Sequence, residues 1–363
     1  MMSARPLRHL AVCLLLLTGG CAPLSCQPSP VAGSPQRPPP PPAGLSQRLA
    51  ELARGFEGRV GIAVEDVQSG WTADYDGRSL YPQQSVSKLC TAIAILDQVD
   101  RGRLTLADPV VVRRQDMSVF HQPIQAHLTP EGYPTTIGEL LQGAIAQSDN
   151  AADDILIRRA GGPEAVQRAV NARGVTGIRC GPEERVLESR IAGVAWKPEY
   201  SFGQAFWTAR EAIDPEVRAA RLQAYVDNPE DGATPLALAH ELARLKRGEL
   251  LSSASTGRLL EIMAATKTGP LRLPAGLSPG WSIAHKTGTG QDLGDLSTGI
   301  NDVGLMTAPD GHAYAVVVMI AATRRPVADR QHLMADVART VVAVHDGAPL
   351  APPPGPVPGR APG

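Results

Sequence analysis

The chain has 363 residues, and its 35 Lys and Arg against 36 Asp and Glu leave a formal net charge of −1. This balance excludes a generally basic nucleic-acid-binding protein, which needs excess Lys and Arg to displace phosphate counterions. With 43% apolar residues and five cysteines without a C-x-x-C pair, the composition predicts a globular protein with neither a disulfide scaffold nor a metal site.

The first residues have the pattern of an export signal. Arg5 and Arg8 precede an apolar run over 10–17, which is too short to span a bilayer, and small residues lead to Cys21. Residues 1–21 resemble a bacterial lipoprotein signal peptide, although Thr18 stands where leucine is usual. The resemblance implies a periplasmic protein that touches the membrane only through a lipid on Cys21. The alternative is a cleaved secretory signal.

Two Pro-rich segments flank the region predicted to fold. Residues 22–44 contain nine prolines and residues 347–363 contain seven. Such segments favour extended polyproline conformations and cannot bury a core. The sequence therefore predicts a linker over 22–44, a folded region over 45–346 and a disordered tail over 347–363.

Within 45–346, strand patterns lie at both ends and helical patterns lie between them. In chain order the periodicity first predicts a helix over 45–55 and strands over 60–64 and 71–75. Helices are then predicted over 84–101, 136–147, 151–160, 163–173, 236–247 and 253–265. The last elements are strands over 281–285, 302–306 and 314–320, with a turn at Asp310-Gly311, and a helix over 327–345. We expect an α/β (α+β) fold. Its antiparallel sheet domain would come from both chain ends, about 45–80 and 236–346. An all-helical domain, about 81–235, would be inserted, and the cleft between the two would hold the site.

The first chemical motif is Ser85-x-x-Lys88 at the start of a predicted helix. A serine hydroxyl is a weak nucleophile until a base removes its proton. Lys88 lies about one helical turn after Ser85, so its amine can reach the serine oxygen. Alone the motif is weak, because an N-cap serine followed by a surface lysine has the same spacing.

Two further motifs strengthen this interpretation. Ser148-Asp149-Asn150 lies between two predicted helices, and Lys286-Thr287-Gly288 ends a predicted strand. S-x-x-K, S-D-N and K-T-G occur together in class A β-lactamases and penicillin-binding proteins. Their order, and the family-like intervals to 161–163 and 228–235, make the chain resemble a class A β-lactamase, or a related penicillin-recognising serine hydrolase, over nearly all of 45–346.

The resemblance implies a role for each residue of the first two motifs. Ser85 would attack a β-lactam carbonyl and form an acyl-enzyme, with Lys88 as base or proton relay. Ser148 would pass a proton to the leaving ring nitrogen, and Asn150 would bind the side-chain amide of the substrate. No metal or organic cofactor is implied, and a monomer is expected.

The third motif is implied to bind the substrate carboxylate. Lys286 and Thr287 would hold that group, while Gly288 would let the backbone approach closely. The backbone N–H groups of Ser85 and Thr289 would form the oxyanion hole.

The residue that activates the deacylating water is the main departure from the family pattern. Counting from S-D-N without gaps puts Glu184 at the place of the family glutamate, but Glu188 stands four residues later where the family has asparagine. If the count from S-D-N is off by one residue, Glu183 takes that place instead. Residues 196–199 (WKPE) also resemble the family segment around this glutamate, in a shifted register. The other interpretation is that Glu183, Glu184 and Glu188 are solvated charges on a loop.

The segment from Glu184 to Pro235 is about thirty residues longer than in the family, by the same resemblance. Five of the fourteen aromatic residues of the chain crowd into its stretch 196–207, namely Trp196, Tyr200, Phe202, Phe206 and Trp207. They would form either a lid beside the nucleophile or a small core that anchors the segment, and the small core is preferred.

Five other residues are candidates for roles near the site. Asp149 is predicted to orient backbone, and Ser87 to face away from the attack. His121 is placed at the cleft mouth or, preferably, on a surface loop. Cys90 is predicted to be buried and inert, and Cys180 has no obvious partner.

Four functions fit these motifs. The first is a serine β-lactamase. The second is a penicillin-binding D-Ala-D-Ala carboxypeptidase or transpeptidase, which the same motifs serve. The third is a β-lactam sensor that is acylated without turnover, and the fourth is an esterase of the same fold.

Overall fold

An antiparallel sheet forms the centre of the structure, a computed structural model that describes residues 37–350. The predicted signal peptide with Cys21, most of the 22–44 linker and most of the 347–363 tail lie outside the described residues. The strands are β1 (Arg59–Asp66), β2 (Thr72–Tyr75), β3 (Tyr81–Pro82), β4 (Pro109–Val112), β5 (Tyr133–Thr136), β6 (Gly232–Ala233), β7 (Ser282–Gly288), β8 (Asp292–Leu293), β9 (Leu296–Thr307) and β10 (Ala313–Thr323).

Helices flank this sheet on both faces. They are α1 (Leu45–Arg54), α2 (Lys88–Asp100), α3 (Ile137–Ala146), α4 (Asn150–Ala160), α5 (Pro163–Ala172), α6 (Glu184–Ala192), α7 (Ala205–Glu211), α8 (Pro215–Asp227), α9 (Pro235–Lys246), α10 (Ser253–Ala264) and α11 (Val327–His345). Within residues 37–350, no helix combines the length and apolar character that crossing a bilayer requires.

The two ends of the folded region meet in this sheet, whose strand order is β2-β1-β10-β9-β7 with β8 beside β9. The N-terminal strand β1 pairs with the C-terminal strand β10, with Ile62 opposite Val318. The predicted antiparallel sheet built from both chain ends, with helices inserted, is therefore confirmed.

Strand β10 has cores on both of its faces. Because successive side chains point to opposite faces, Ala315 and Val317 enter the core under the helical region, whereas Val316 and Val318 enter the core under α1 and α11. Both faces are covered, and the strand therefore reads as a nearly continuous apolar run.

All eight predicted helices are present, with ends displaced by at most four residues. The predicted helix over 84–101 instead begins as a 3₁₀ helix, Gln84–Ser87, which leads into α2. Helices α6, α7 and α8 and the β4–β5 hairpin were not predicted. Helix α8 buries only Leu222, Tyr225 and Val226, so its apolar periodicity is weak.

Four of the five aromatic residues of the stretch 196–207 form a small core, as the preferred interpretation has it, whereas Phe202 packs against the main core with Arg114 over its ring. Phe206 is buried against Val119 and Ala192, with Trp196 and Tyr200 packed around them. Phe120 and Phe206 meet edge to face with ring centroids 4.9 Å apart. Trp207 completes the group but stays 39% exposed.

Candidate active site

A strained turn presents Ser85 to the cleft. Gln84, the residue before it, has φ = +52°, a conformation that costs a non-glycine residue about 1–3 kcal/mol. Two groups hold this turn: the Asp231 carboxylate accepts a hydrogen bond from the Gln84 N–H (2.6 Å), and the Tyr225 hydroxyl accepts one from Gln84 Nε2 (2.6 Å). Residues at the end of the long segment therefore position the serine.

Lys88 is fully buried beside Ser85 and has three hydrogen-bond acceptors. Its Nζ donates to Ser85 Oγ at 2.8 Å, to Asn150 Oδ1 at 3.0 Å and to the carboxylate of Glu184. Burial alone would lower the pKa of Lys88, but the charges of Glu184 and Asp153 outweigh it and raise that pKa. The free protein therefore holds Lys88 as an ammonium, which must lose a proton before it can accept one from Ser85.

Of the candidate glutamates, the structure brings Glu184 to Lys88. Its backbone N–H donates to Asp154 Oδ1 at 2.6 Å, at the first turn of α6. Glu183 points elsewhere, because its carboxylate pairs with Arg158 at 2.6 Å and with Arg185 of α6 at 2.7 Å. In the WKPE look-alike, the Glu199 side chain is 60% exposed. The gap-free count thus identifies the glutamate that lies in the site.

Ser148 and Lys286 form the second hydroxyl–amine pair. Lys286 Nζ donates to Ser148 Oγ at 2.8 Å and to Thr287 O at 2.8 Å. Burial, and next the charge of Lys88, lower the pKa of Lys286 well below its usual value. An ammonium with a lowered pKa gives up its proton readily, so this pair can supply one through the serine hydroxyl.

The S-D-N segment owes its shape to Asp149. This carboxylate caps α4 by accepting from the N–H of Ala152 (2.9 Å) and also accepts from the N–H of Ile124 (2.6 Å), in agreement with the predicted orienting role. Asn150 Nδ2 donates to Val119 O at 3.0 Å. Since an amide nitrogen carries two hydrogens, one donor remains for a ligand.

The edge strand β7 passes very close to the nucleophile turn. A Cβ added at Gly288 would lie 2.3 Å from the carbonyl oxygen of Gln83, so only glycine fits there. Thr287 Oγ1 lies 2.6 Å from Thr268 Oγ1. This approach brings the Lys286–Gly288 motif beside Ser85.

Arg272 is a residue of this region that the sequence analysis missed. Its guanidinium donates to Thr289 Oγ1 at 2.8 Å, to Gly288 O at 3.0 Å and to Asn301 O at 2.7 Å. It adds a second cation next to Lys286. The available signal was a lone arginine between two glycines in the loop before β7.

The other candidate residues lie around the site. Ser87 Oγ donates to Gln84 O at 2.8 Å, and His121 is exposed with its Nε2 2.8 Å from Gln147 O. Cys180 does have a neighbour: its thiol lies near that of Cys90, and the Cys180 thiol together with burial raises the pKa of Cys90.

No group of three or more His, Cys, Asp or Glu side chains within residues 37–350 is arranged to hold a metal ion.

Comparisons with known proteins agree with this geometry. Residues 44–344 match the Beta-lactamase enzyme family. β-Lactamase VEB-1 of Pseudomonas aeruginosa is 26% identical over 298 residues, 81% of this chain and 88% of that protein. A β-lactamase structure from Chitinophaga pinensis superposes with a TM-score of 0.69 at 31% identity, covering 83% of this chain and 99% of that one. An ancestral class A β-lactamase gives a TM-score of 0.64 at 30% identity, covering 83% and 99%.

Proposed function

This chain belongs to the β-lactamase enzyme family, and from its site we infer that it is a serine β-lactamase of class A type, which hydrolyses the β-lactam amide through an acyl-enzyme on Ser85. The observation that carries this inference is the buried chain of hydrogen bonds from Ser85 Oγ through Lys88 Nζ to the Glu184 carboxylate. This chain connects the Ser85 hydroxyl to the Glu184 carboxylate through Lys88, which can carry a proton between them.

In the acylation step, the proton of Ser85 leaves along that chain. Lys88 first gives a proton to Glu184, and the resulting amine accepts the proton of Ser85 as its oxygen attacks the carbonyl carbon. The backbone N–H groups of Ser85 and Thr289 face the developing oxyanion. When the C–N bond of the ring breaks, Ser148 protonates the nitrogen, and Lys286 restores the proton of Ser148.

The deacylation step uses the same proton path, with a water molecule in place of Ser85 as the attacking group. After acylation, Glu184 releases its proton to solvent and Lys286 takes one up, so that Glu184 is again a carboxylate and Lys88 an ammonium. Glu184 then takes a proton from water as the water attacks the ester carbonyl. The tetrahedral intermediate collapses, Ser85 Oγ leaves with a proton from Lys88, and Glu184 returns its proton to Lys88. The ring-opened product is released and the hydrogen bond between Lys88 and Ser85 is restored.

Substrate binding uses the cations beside β7. Lys286, Arg272 and the hydroxyls of Thr287 and Thr289 would hold the carboxylate of the β-lactam, because guanidinium and ammonium groups form the stronger, charge-assisted hydrogen bonds to it. The free donor of Asn150 would bind the substrate side-chain amide.

We further propose that the protein is exported to the periplasm as a monomer and anchored by a lipid on Cys21. The support is the pattern of residues 1–21 and the Pro-rich spacer after them. Metabolic labelling with a palmitate analogue should mark the wild type and not Cys21→Ala. Equal labelling of both would contradict the anchor, and a soluble periplasmic protein would indicate the cleaved secretory signal.

Intact-protein mass over time after addition of benzylpenicillin tests the function. We expect an adduct on Ser85 that appears and then disappears, and neither adduct nor turnover in Ser85→Ala. A persistent adduct would indicate a penicillin-binding enzyme or a sensor, and turnover of an acyl-D-Ala-D-Ala peptide would distinguish these two. Hydrolysis retained in Ser85→Ala would overturn the proposal.

A further inference from the structure

Glu188 is a buried acid that the mechanism above does not use. It lies one helical turn after Glu184 on α6, and residues spaced in this way share a helix face with Cβ atoms about 5–6 Å apart. Both side chains are removed from solvent, with 4% of Glu184 and 3% of Glu188 exposed. Two carboxylates in such a setting cannot both be charged at low cost, since Lys88 forms its ion pair with Glu184 and none with Glu188.

Gln291 holds Glu188 from the other side of the cleft. Its Nε2 donates to Glu188 Oε2 at 2.6 Å and to the backbone oxygen of the same residue at 2.8 Å. Gln291 lies three residues after Gly288, so this clamp joins the first turns of α6 to the edge of β7. Among the described residues no donor is bonded to Glu188 Oε1, which leaves that oxygen to carry a proton.

The charges around Glu188 favour its protonated form. Burial, and next the charge of Glu184, raise the pKa of Glu188 to about 8, while Gln291 opposes the shift. The other titratable and charged groups that face it, or face its clamp, from the elements packed around α6 are Lys88 of α2, Arg210 of α7, Arg218 and Tyr225 of α8, and Asp231 before β6.

We propose that Glu188 is a positioning residue for deacylation that works as a neutral acid: clamped by Gln291, it donates its O–H toward Glu184 and keeps that carboxylate aligned on the attacking water. Glu188 itself exchanges no proton with the substrate. Once it ionises, the donor is lost and a second negative charge faces Glu184. The rate of deacylation should therefore fall as the pH rises through the titration of Glu188. This inference rests on the proposed β-lactamase function.

The test measures the decay of the benzylpenicillin acyl-enzyme at pH 5.5 to 9.5 in full-length protein. Glu188→Gln keeps the shape, a donor and an acceptor but cannot ionise, Glu188→Ala removes the group, and the exposed Glu199→Gln is the matched control. In the wild type and Glu199→Gln, we expect the rate to fall about tenfold per pH unit above pH ~8. Glu188→Gln should lose this alkaline limb and stay within about threefold of the wild type at pH 7, and Glu188→Ala should deacylate at least about tenfold more slowly while still acylating.

An alkaline limb that persists unchanged in Glu188→Gln would overturn the inference, as would normal deacylation by Glu188→Ala. Should Glu188→Ala fail to fold, the comparison of the wild type with Glu188→Gln still decides, since a purely structural role would not move a pH profile. If the wild type forms an adduct on Ser85 but the rate of its decay does not fall at alkaline pH, the inference about Glu188 is contradicted and the proposed function is not. Absence of any adduct overturns the proposed function and this inference together.

Discussion

Lys88 and Glu184, 96 residues apart in the chain, meet as a hydrogen-bonded ion pair whose side chains are 0% and 5% exposed. Removing one partner of such a buried pair leaves an uncompensated charge, at a cost of about 3–5 kcal/mol. The pair also sets the protonation of the nucleophile's neighbour, because Glu184 helps to keep the pKa of Lys88 raised. The Lys88–Glu184 ion pair therefore affects both the stability of the contact between α2 and α6 and the order in which protons are transferred.

Glu184→Gln should separate acylation from deacylation. The substitution removes the largest of the charges that raise the pKa of Lys88, so that pKa should fall and Lys88 should reach more readily the neutral amine that accepts the proton of Ser85. Deacylation loses its base, and we expect it to slow about 10²–10⁴-fold. The benzylpenicillin adduct, followed by intact mass, should then persist. Glu183→Gln, which changes an acid paired with Arg158, is the control, and equal persistence in both variants would contradict the assignment.

Arg272→Ala should weaken the binding of substrates that carry a carboxylate. A hydrogen bond to a charged group contributes about 1.5–3 kcal/mol, which corresponds to a loss of roughly 10–100-fold in kcat/KM. The matched measurement uses the methyl ester of the same β-lactam, for which the loss should be much smaller. If acid and ester are affected equally, Arg272 instead acts through its bonds to Gly288 O and Asn301 O.

Asp154 should make the folded protein less stable at alkaline pH. Burial raises the pKa of this carboxyl to about 8, whereas the unfolded chain titrates near 4. An acid whose pKa is raised by folding contributes its full stabilisation below pH ~4, the pKa in the unfolded chain. That contribution is lost as the pH rises through about 8, the pKa in the folded protein. Asp154→Asn keeps an acceptor for the Glu184 N–H but does not ionise. In urea titrations at pH 5, 7 and 9, we expect its stability relative to the wild type to increase with pH. A constant difference would show that Asp154 does not titrate in this range.

Phe206→Ala should loosen the small aromatic core of the long segment. Truncating a fully buried aromatic costs about 3–5 kcal/mol, and Phe206 contacts Phe120, Tyr200 and Trp207. Trp207→Ala, at a site 39% exposed, should cost less and is the paired control. Hydrogen exchange should show faster opening of α6 and α7 in Phe206→Ala. Unchanged exchange in these helices would mean that the segment is anchored by other contacts, such as those of Asp231.

Much of the site could be predicted because its motifs are local. Ser85 and Lys88 are one turn apart, and the capping box of Thr136 with Glu139 starts α3 from neighbouring residues. The sheet was predictable as well, since β1 and β10 are apolar enough to indicate strands. Helix α8 was missed because its buried side is too narrow to produce a clear helical period.

The sequence by itself determined the three motifs, the pairing of both chain ends in one sheet and the candidate Glu184. Only the tertiary structure decided between Glu183 and Glu184, placed Arg272 beside Thr289 and set Glu188 against Gln291. The physical reason is that the role of an ionisable side chain depends on the charges within a few ångströms and on its loss of solvent. In this protein those neighbours come from α2, α4 and β7, far away along the chain, so spacing in the sequence could not show them.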